Sequence, residues 1–253
     1  MFLKRISVFI CPLLIFFGLE LLFYNLKTIY YLPILLSALL LFFLKFLIKE
    51  KIYSRDFIYL SILPFLLFYS TLGFLFLLGS DIFRHVVIVI LTLILIIYLE
   101  NIFSFFHRPA LYQPFSLENL TALLNLLIFF LATIDLNALA TFLNLPIWLL
   151  SIILIAVTSL LLYQMFWINK IKAGRKTIFL LIINIVILES FWAFAFLPAS
   201  FYVSSIILTI IYYLLSGLFK AKLSAKLDKK NILWYLIISL ILLLIIIITS
   251  SWT

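Results

Sequence analysis

Apolar runs of about twenty residues recur along the chain, and their length limits the possible folds more than any other feature. A helix needs about 20 mostly apolar residues to cross the hydrocarbon core of a bilayer. Strands of a membrane β-barrel instead alternate apolar and polar residues. The segment from Leu240 to Ile248 is apolar at every position. The runs therefore predict transmembrane helices.

The composition excludes a soluble globular protein. The chain has 253 residues, of which 68% are hydrophobic and 11% charged, whereas soluble domains average about 45–50% apolar and about 25% charged residues. A soluble fold of this length has too little interior to hide so much apolar surface from water. Because no polar stretch is long enough to form a second domain, we predict that residues 1–253 form a single transmembrane domain.

The predicted fold is an all-α polytopic bundle of about nine transmembrane helices. The first run follows Lys4 and Arg5, is longer than a signal-peptide core and precedes no small-residue cleavage pattern, so we expect it to be a retained helix. Two prolines, Pro12 and Pro64, lie well inside predicted helices and should kink them. The predicted spans are Ile6–Tyr24, Ile29–Ile48, Phe57–Leu78, Phe83–Phe103, Leu117–Leu136, Pro146–Ile168, Thr177–Leu197, Phe201–Phe219 and Ile232–Trp252.

The basic residues predict the orientation of these helices. With the N-terminus inside, 16 of the 18 lysines and arginines fall in inside segments, and only Lys27 and Arg84 fall outside. Short inside loops of membrane proteins are enriched in Lys and Arg, so nine helices place the C-terminus outside. The net charge of +9 is thereby explained as a topology signal, and no nucleic-acid partner is predicted. We expect an integral protein of a prokaryotic plasma (inner) membrane.

Polar residues inside the apolar runs are the first candidates for function, since ionisable groups at membrane depth are costly and tend to be used. Glu189 lies about twelve residues into the seventh predicted helix, near the bilayer midplane. Its carboxylate is a candidate proton carrier or cation ligand, and Asn184 and Asn125 are candidates for the same polar path. The alternative is that all three form structural hydrogen bonds between helices.

A second set of candidates lies towards the predicted outer ends of the helices. If their helices are adjacent, these residues form an acidic vestibule in which Arg84 is the counter-ion. Glu189 would lie in the same outer half. The other members are Glu20, Asp81, Arg84, His85 and Asp135.

A third set lies around the predicted inside loop from 104 to 118, which contains two prolines and several aromatic residues. Its candidates are Glu100, His107, Arg108 and Glu118. A His and an Arg beside two carboxylates are suited to bind a lipid phosphate or to perform acid–base chemistry. In the structural alternative, the carboxylates pair with Arg108 and Ser116 caps the fifth helix.

Other chemistry has little support in the sequence. We find no nucleotide-binding loop, hydrolase elbow or zinc-protease motif, and we predict no metal and no cofactor. A single cysteine, Cys11, excludes an internal disulfide. The five lysines from Lys220 to Lys230 are explained by topology, although such clusters also bind anionic lipids.

The sequence is compatible with three functions, and it does not decide whether the protein is an enzyme. A transporter or permease-like component with a midplane carboxylate is marginally favoured. The first alternative is a lipid- or isoprenoid-modifying enzyme that uses the 104–118 loop. The second is a non-catalytic subunit or assembly factor, with a membrane-protein partner or a homo-oligomeric state. The bilayer itself is the one expected partner common to all three.

Overall fold

A computed structural model of the protein describes residues 2–48, 54–109, 112–171, 176–197, 199–223 and 229–249, and these residues contain no β-strand. Seven of their nine α-helices are long and apolar enough to cross a bilayer, whereas α2 and the apolar part of α9 are shorter. The chain is therefore an all-α helical membrane protein. The helices are α1 (Phe2–Tyr24), α2 (Leu32–Ile48), α3 (Arg55–Leu77), α4 (Asp81–His107), α5 (Ser116–Leu143), α6 (Ile147–Ile168), α7 (Lys176–Ala195), α8 (Phe201–Leu223) and α9 (Lys229–Thr249).

All nine predicted helices are present, and their ends differ from the predicted ones by at most seven residues. The second helix begins later than predicted because Leu26–Tyr30 forms a short 3-10 helix. The fifth extends to Leu143, seven residues beyond its predicted end. Polar residues suggested an end near Leu136, but Asn137 donates a hydrogen bond to Ser205 of α8 and the helix continues. The predicted end of the last helix, at Trp252, lies outside the described residues.

The helix starts follow local chemistry. Ser54 caps α3 by accepting a hydrogen bond from the backbone N–H of Phe57, and Asp56 lies in the first turn, where a negative charge is favourable. Asp81 likewise lies in the first turn of α4. Both α1 and α3 continue through their internal prolines, Pro12 and Pro64.

The chain divides into two compact units, residues 1–124 and 125–253, with the boundary inside α5. In the first unit, α1 packs against α2 and α4, and α2 and α3 also pack against α4. In the second, α6 packs against α7, α7 against α8, and α8 against α9. The prediction of a single domain stays a prediction.

Each unit contains one glycine at which two helices approach closely. A Cβ atom added to Gly18 of α1 would lie 2.6 Å from Cδ2 of Leu36 in α2. A Cβ atom added to Gly217 of α8 would collide with the ring of Tyr235 in α9. Small residues allow helix backbones to approach in membrane proteins, and these two positions explain how the α1–α2 and α8–α9 pairs pack.

Candidate functional site

A cleft of about 560 Å³ lies in the first unit, between the end of α1 and the start of α4. Its volume is in the range of about 300–1,000 Å³ that is usual for small-molecule sites. The two helices run antiparallel, so the last turns of α1 meet the first turns of α4. The lining residues are Glu20, Leu21, Phe23, Tyr24, Asp81, Arg84, His85 and Ile88.

Arg84 is held by three groups around the cleft. Its guanidinium donates a 2.6 Å hydrogen bond to Asp81 and a 2.8 Å hydrogen bond to the carbonyl oxygen of Leu78. The same group lies 4.9 Å from the centre of the Phe23 ring, at cation–π distance. Arg84, the predicted counter-ion of the vestibule, thus pairs with Asp81, a neighbour one turn away on its own helix.

A second pair crosses from α1 to α4. Nδ1 of His85 lies 2.8 Å from Oε2 of Glu20 and 2.9 Å from Oε1. The side chain of Glu20 is 26% exposed and that of His85 is 60% exposed, so both groups remain in reach of water and of ligands. The two pairs together form a group of one basic residue, two acidic residues and one histidine.

The structure thus brings together four of the candidates for the outer vestibule: Glu20, Asp81, Arg84 and His85. Asp135 belongs to the second unit, where its Oδ1 atom is buried and forms no hydrogen bond. Its carboxylate therefore shares no described contact with the cleft.

Two of the polar-path candidates join separate hydrogen-bond networks inside the second unit. The amide nitrogen of Asn125 donates to the carbonyl oxygen of Leu161, and its amide oxygen accepts a 2.6 Å hydrogen bond from the Tyr212 hydroxyl. The same nitrogen lies 3.4 Å from Oε1 of Gln164. Asn184 donates instead to Ser159 of α6. These contacts link α5, α6 and α8, and separately α6 and α7.

Glu189 joins neither network, because its side chain is exposed on α7. Asn184 and Glu189 are five residues apart, which turns their side chains by roughly 140° around a helix of 3.6 residues per turn. The structure therefore does not bring the Glu189 carboxylate to the buried amides of its own unit.

The inner-loop candidates make mainly aromatic contacts. The imidazole of His107 stacks on the ring of Phe103 at 5.0 Å, and Arg108 lies 5.5 Å from the centre of the same ring. Arg108 forms no ion pair with Glu100 or Glu118, contrary to the structural alternative for this loop. Oε2 of Glu100 is buried and forms no hydrogen bond.

The prediction that Ser116 caps α5 is wrong. Its hydroxyl donates a 2.6 Å hydrogen bond to Asn101 of α4, and the hydroxyl of Tyr112 accepts the N–H of Leu117 in its place. The Tyr112 hydroxyl also donates to Glu118, which lies in the first turn as predicted. Burial raises the pKa of Tyr112, so this hydroxyl keeps its proton and can serve both partners.

Tyr212, Phe129 and Phe23 contact these sites and were not singled out from the sequence. Tyr212 completes the Asn125 network, and its ring stacks on Phe129 at 4.2 Å. Phe23 packs under Arg84. A tyrosine in an apolar run is a detectable signal, because a buried hydroxyl needs a partner, but the signal does not identify that partner.

No group of three or more His, Cys, Asp and Glu side chains that could hold a metal occurs in the described part of the chain. No family model matches the chain, and no similar curated protein or solved structure was found. Since a fold class alone does not define a function, a function has to be inferred from the residues of the cleft.

Proposed function

We propose that the protein is a permease-like membrane component that binds a small organic cation in the α1–α4 cleft. The observation that carries this proposal is the cross-helix pair of Glu20 and His85 in a cleft of ligand size.

The charges in the cleft favour a cation. Asp81 neutralises Arg84, whose guanidinium is further occupied by Leu78 and Phe23. Glu20 then leaves one negative charge when His85 is neutral. Opposite charges are favourable at short range in a partly desolvated cleft, so a protonated amine is the matching ligand.

The apolar part of the cleft favours an organic cation over a metal ion. Tyr24 lines the cleft and is 94% exposed, so the face of its ring is open to a ligand. Aromatic rings attract ammonium groups within about 6 Å of the ring centre. Leu21 and Ile88 offer further apolar contacts.

The Glu20–His85 pair also connects the two helices that line the cleft. An ammonium group that binds the Glu20 carboxylate would compete with His85 for it, so cation binding would change the contact between α1 and α4. Transport of the cation would further require that the cleft become accessible from both sides of the membrane.

The direct test is calorimetric titration of the purified protein in detergent with phenethylammonium, a protonated amine with one aromatic ring. We expect saturable binding. A hydrogen bond to a charged group contributes about 1.5–3 kcal/mol, so Glu20→Gln should weaken binding about tenfold or more.

Glu118→Gln is the matched control, because it makes the same chemical change in the same unit, at a carboxylate that contacts Tyr112 instead of the cleft. Its affinity should equal that of the wild type. Absence of saturable binding to the wild type, or equal affinity in Glu20→Gln, would contradict the proposal. Uptake of labelled phenethylammonium by proteoliposomes then tests transport.

The orientation forms part of the same proposal. The basic residues near the ends of α6, α7 and α8, among them Lys170, Lys176, Lys220 and Lys222, would lie on the cytoplasmic side of a prokaryotic plasma membrane and contact anionic lipids. The cleft would then open to the outside. In a variant without Cys11, an impermeant thiol reagent should label a cysteine at Asn144 in intact cells and should not label one at Lys170; the reverse pattern would invert the orientation.

A further inference from the structure

Glu189 lies on the exposed face of α7. The residues at helical spacing around it, Ile178, Ile182, Ile185 and Trp192, are all exposed. The opposite face of α7, with Asn184, Ile187 and Phe191 among its members, is buried. Glu189 is thus the acidic centre of an apolar stripe, here called the Glu189 face.

The position of Glu189 along α7 places it at membrane depth. It is the fourteenth of the 20 residues of α7, which is one of the seven helices suited to span a bilayer. At 1.5 Å per residue it lies roughly 9 Å from the nearer end of the helix. Its carboxylate forms no hydrogen bond or ion pair with any described residue.

A carboxylate on a lipid-facing surface at this depth is unfavourable. Ionisable residues in membrane spans almost always face a bundle interior or an aqueous cavity, and pair with other polar groups. The Glu189 face meets neither condition within the described residues of its own unit. It becomes favourable when another helix covers it and provides a matching polar group.

We propose that the Glu189 face binds a transmembrane helix of a different membrane protein, and that this helix carries a Lys or Arg side chain at the depth of Glu189. Charge complementarity determines the choice of a basic partner, because pairing removes the unfavourable exposure of both charges. The proposal is independent of the α1–α4 cleft.

A second copy of the chain fits this face less well. In a twofold interface the same patch lies on both sides, so Glu189 would oppose Glu189. Every lysine and arginine of the described helices lies in a first or last turn, and none lies as deep along its helix as Glu189. A basic group on a helix of another protein therefore fits this position better.

The experiment uses the full chain in liposomes with two synthetic probes, a polyleucine transmembrane peptide with one central lysine and the same peptide with leucine instead. Energy transfer between labelled protein and labelled peptide reports association. Interhelical polar contacts in membranes have measured effects that correspond to about three- to twentyfold in affinity. We expect the lysine peptide to bind better than the leucine peptide by at least that factor, and Glu189→Gln to remove the difference.

A charge exchange keeps the test independent of folding. The Glu189→Lys variant should no longer favour the lysine peptide and should instead bind a peptide with a central glutamate. Glu118→Gln, which leaves α7 unchanged, should bind both original probes like the wild type. Equal binding of the lysine and leucine peptides to the wild type would overturn the proposal. Association between copies of the protein that disappears in Glu189→Gln would also overturn it, in favour of a homo-oligomer.

Discussion

The two units of the chain place their polar side chains in different ways. In residues 1–124 the ionic contacts lie at helix ends, where Arg84 pairs with Asp81 and His85 with Glu20. In residues 125–253 the cross-helix contacts are neutral amide and hydroxyl hydrogen bonds well inside the helices, such as those of Asn125 and Tyr212.

The difference follows from the local solvent. At a helix end, water and headgroups solvate a charge, and its pairing contributes little to stability. Deep in a helix no water is present to satisfy a donor or acceptor, so every buried polar group must find a partner in the protein. In the second unit, Asn125, Asn137 and Asn184 make such contacts with neutral groups, which are less costly to bury than charges.

The largest effect on stability is expected from Asn125→Leu. The substitution removes the partner of the Tyr212 hydroxyl, a side chain with only 1% exposure, and the hydrogen bond to Leu161. A lost hydrogen bond with an unsatisfied buried partner costs about 1–3 kcal/mol. We expect the free energy of unfolding to fall by about 2–3 kcal/mol, measured by SDS titration in mixed micelles.

Asn119→Leu is the control for this prediction, because Asn119 is exposed on the same helix. Its unfolding free energy should stay within about 0.5 kcal/mol of the wild type. Tyr212→Phe added to Asn125→Leu should bring little further loss, since the two residues share one hydrogen bond. If the losses of unfolding free energy from Asn125→Leu and Tyr212→Phe add fully in the double variant, the two residues do not share a hydrogen bond.

An intermediate effect is expected from Tyr112→Phe, at the end of α4 and start of α5. The change removes the hydroxyl that accepts the N–H of Leu117, a loss of about 1 kcal/mol at neutral pH. Burial raises the pKa of Tyr112 above its ordinary value, so its contribution is complete below the unfolded pKa of about 10 and is lost as the pH rises above it.

The measurement is the difference in unfolding free energy between the wild type and Tyr112→Phe, taken at neutral pH and at alkaline pH. This difference should shrink in alkali. Tyr30→Phe serves as the control, because Tyr30 is 83% exposed, and it should show no difference at either pH. A difference between the wild type and Tyr112→Phe that grows with pH would contradict the raised pKa of Tyr112.

The smallest effect on stability is expected from Glu20→Gln. Its partner His85 is 60% exposed, and solvated ion pairs contribute about 0–1 kcal/mol. The unfolding free energy should therefore fall by less than about 1 kcal/mol, although the proposed cation binding should weaken about tenfold or more. A loss as large as that of Asn125→Leu would mean that the ion pair at the helix ends of the first unit stabilises the fold as much as the buried hydrogen bonds of the second.

Only part of the candidate site could be predicted from the sequence. Glu20, Asp81, Arg84 and His85 were grouped because alternating helices bring their ends to one side, and the structure places them around one cleft. The hypothesis for Glu189 depended on depth alone. Depth follows from position in the sequence, whereas the direction in which a side chain points depends on which helices pack around it.

The sequence by itself determined the helices, because hydropathy acts over about 20 consecutive residues and each apolar run forms its own backbone hydrogen bonds in lipid. Only the tertiary structure decided which face of each helix is covered. Asn184 and Glu189 lie on one helix and differ by little more than one turn, yet the first is buried and the second exposed. The reason is that packing fixes how each helix is rotated about its own axis, and this rotation depends on neighbouring helices that are distant in the chain.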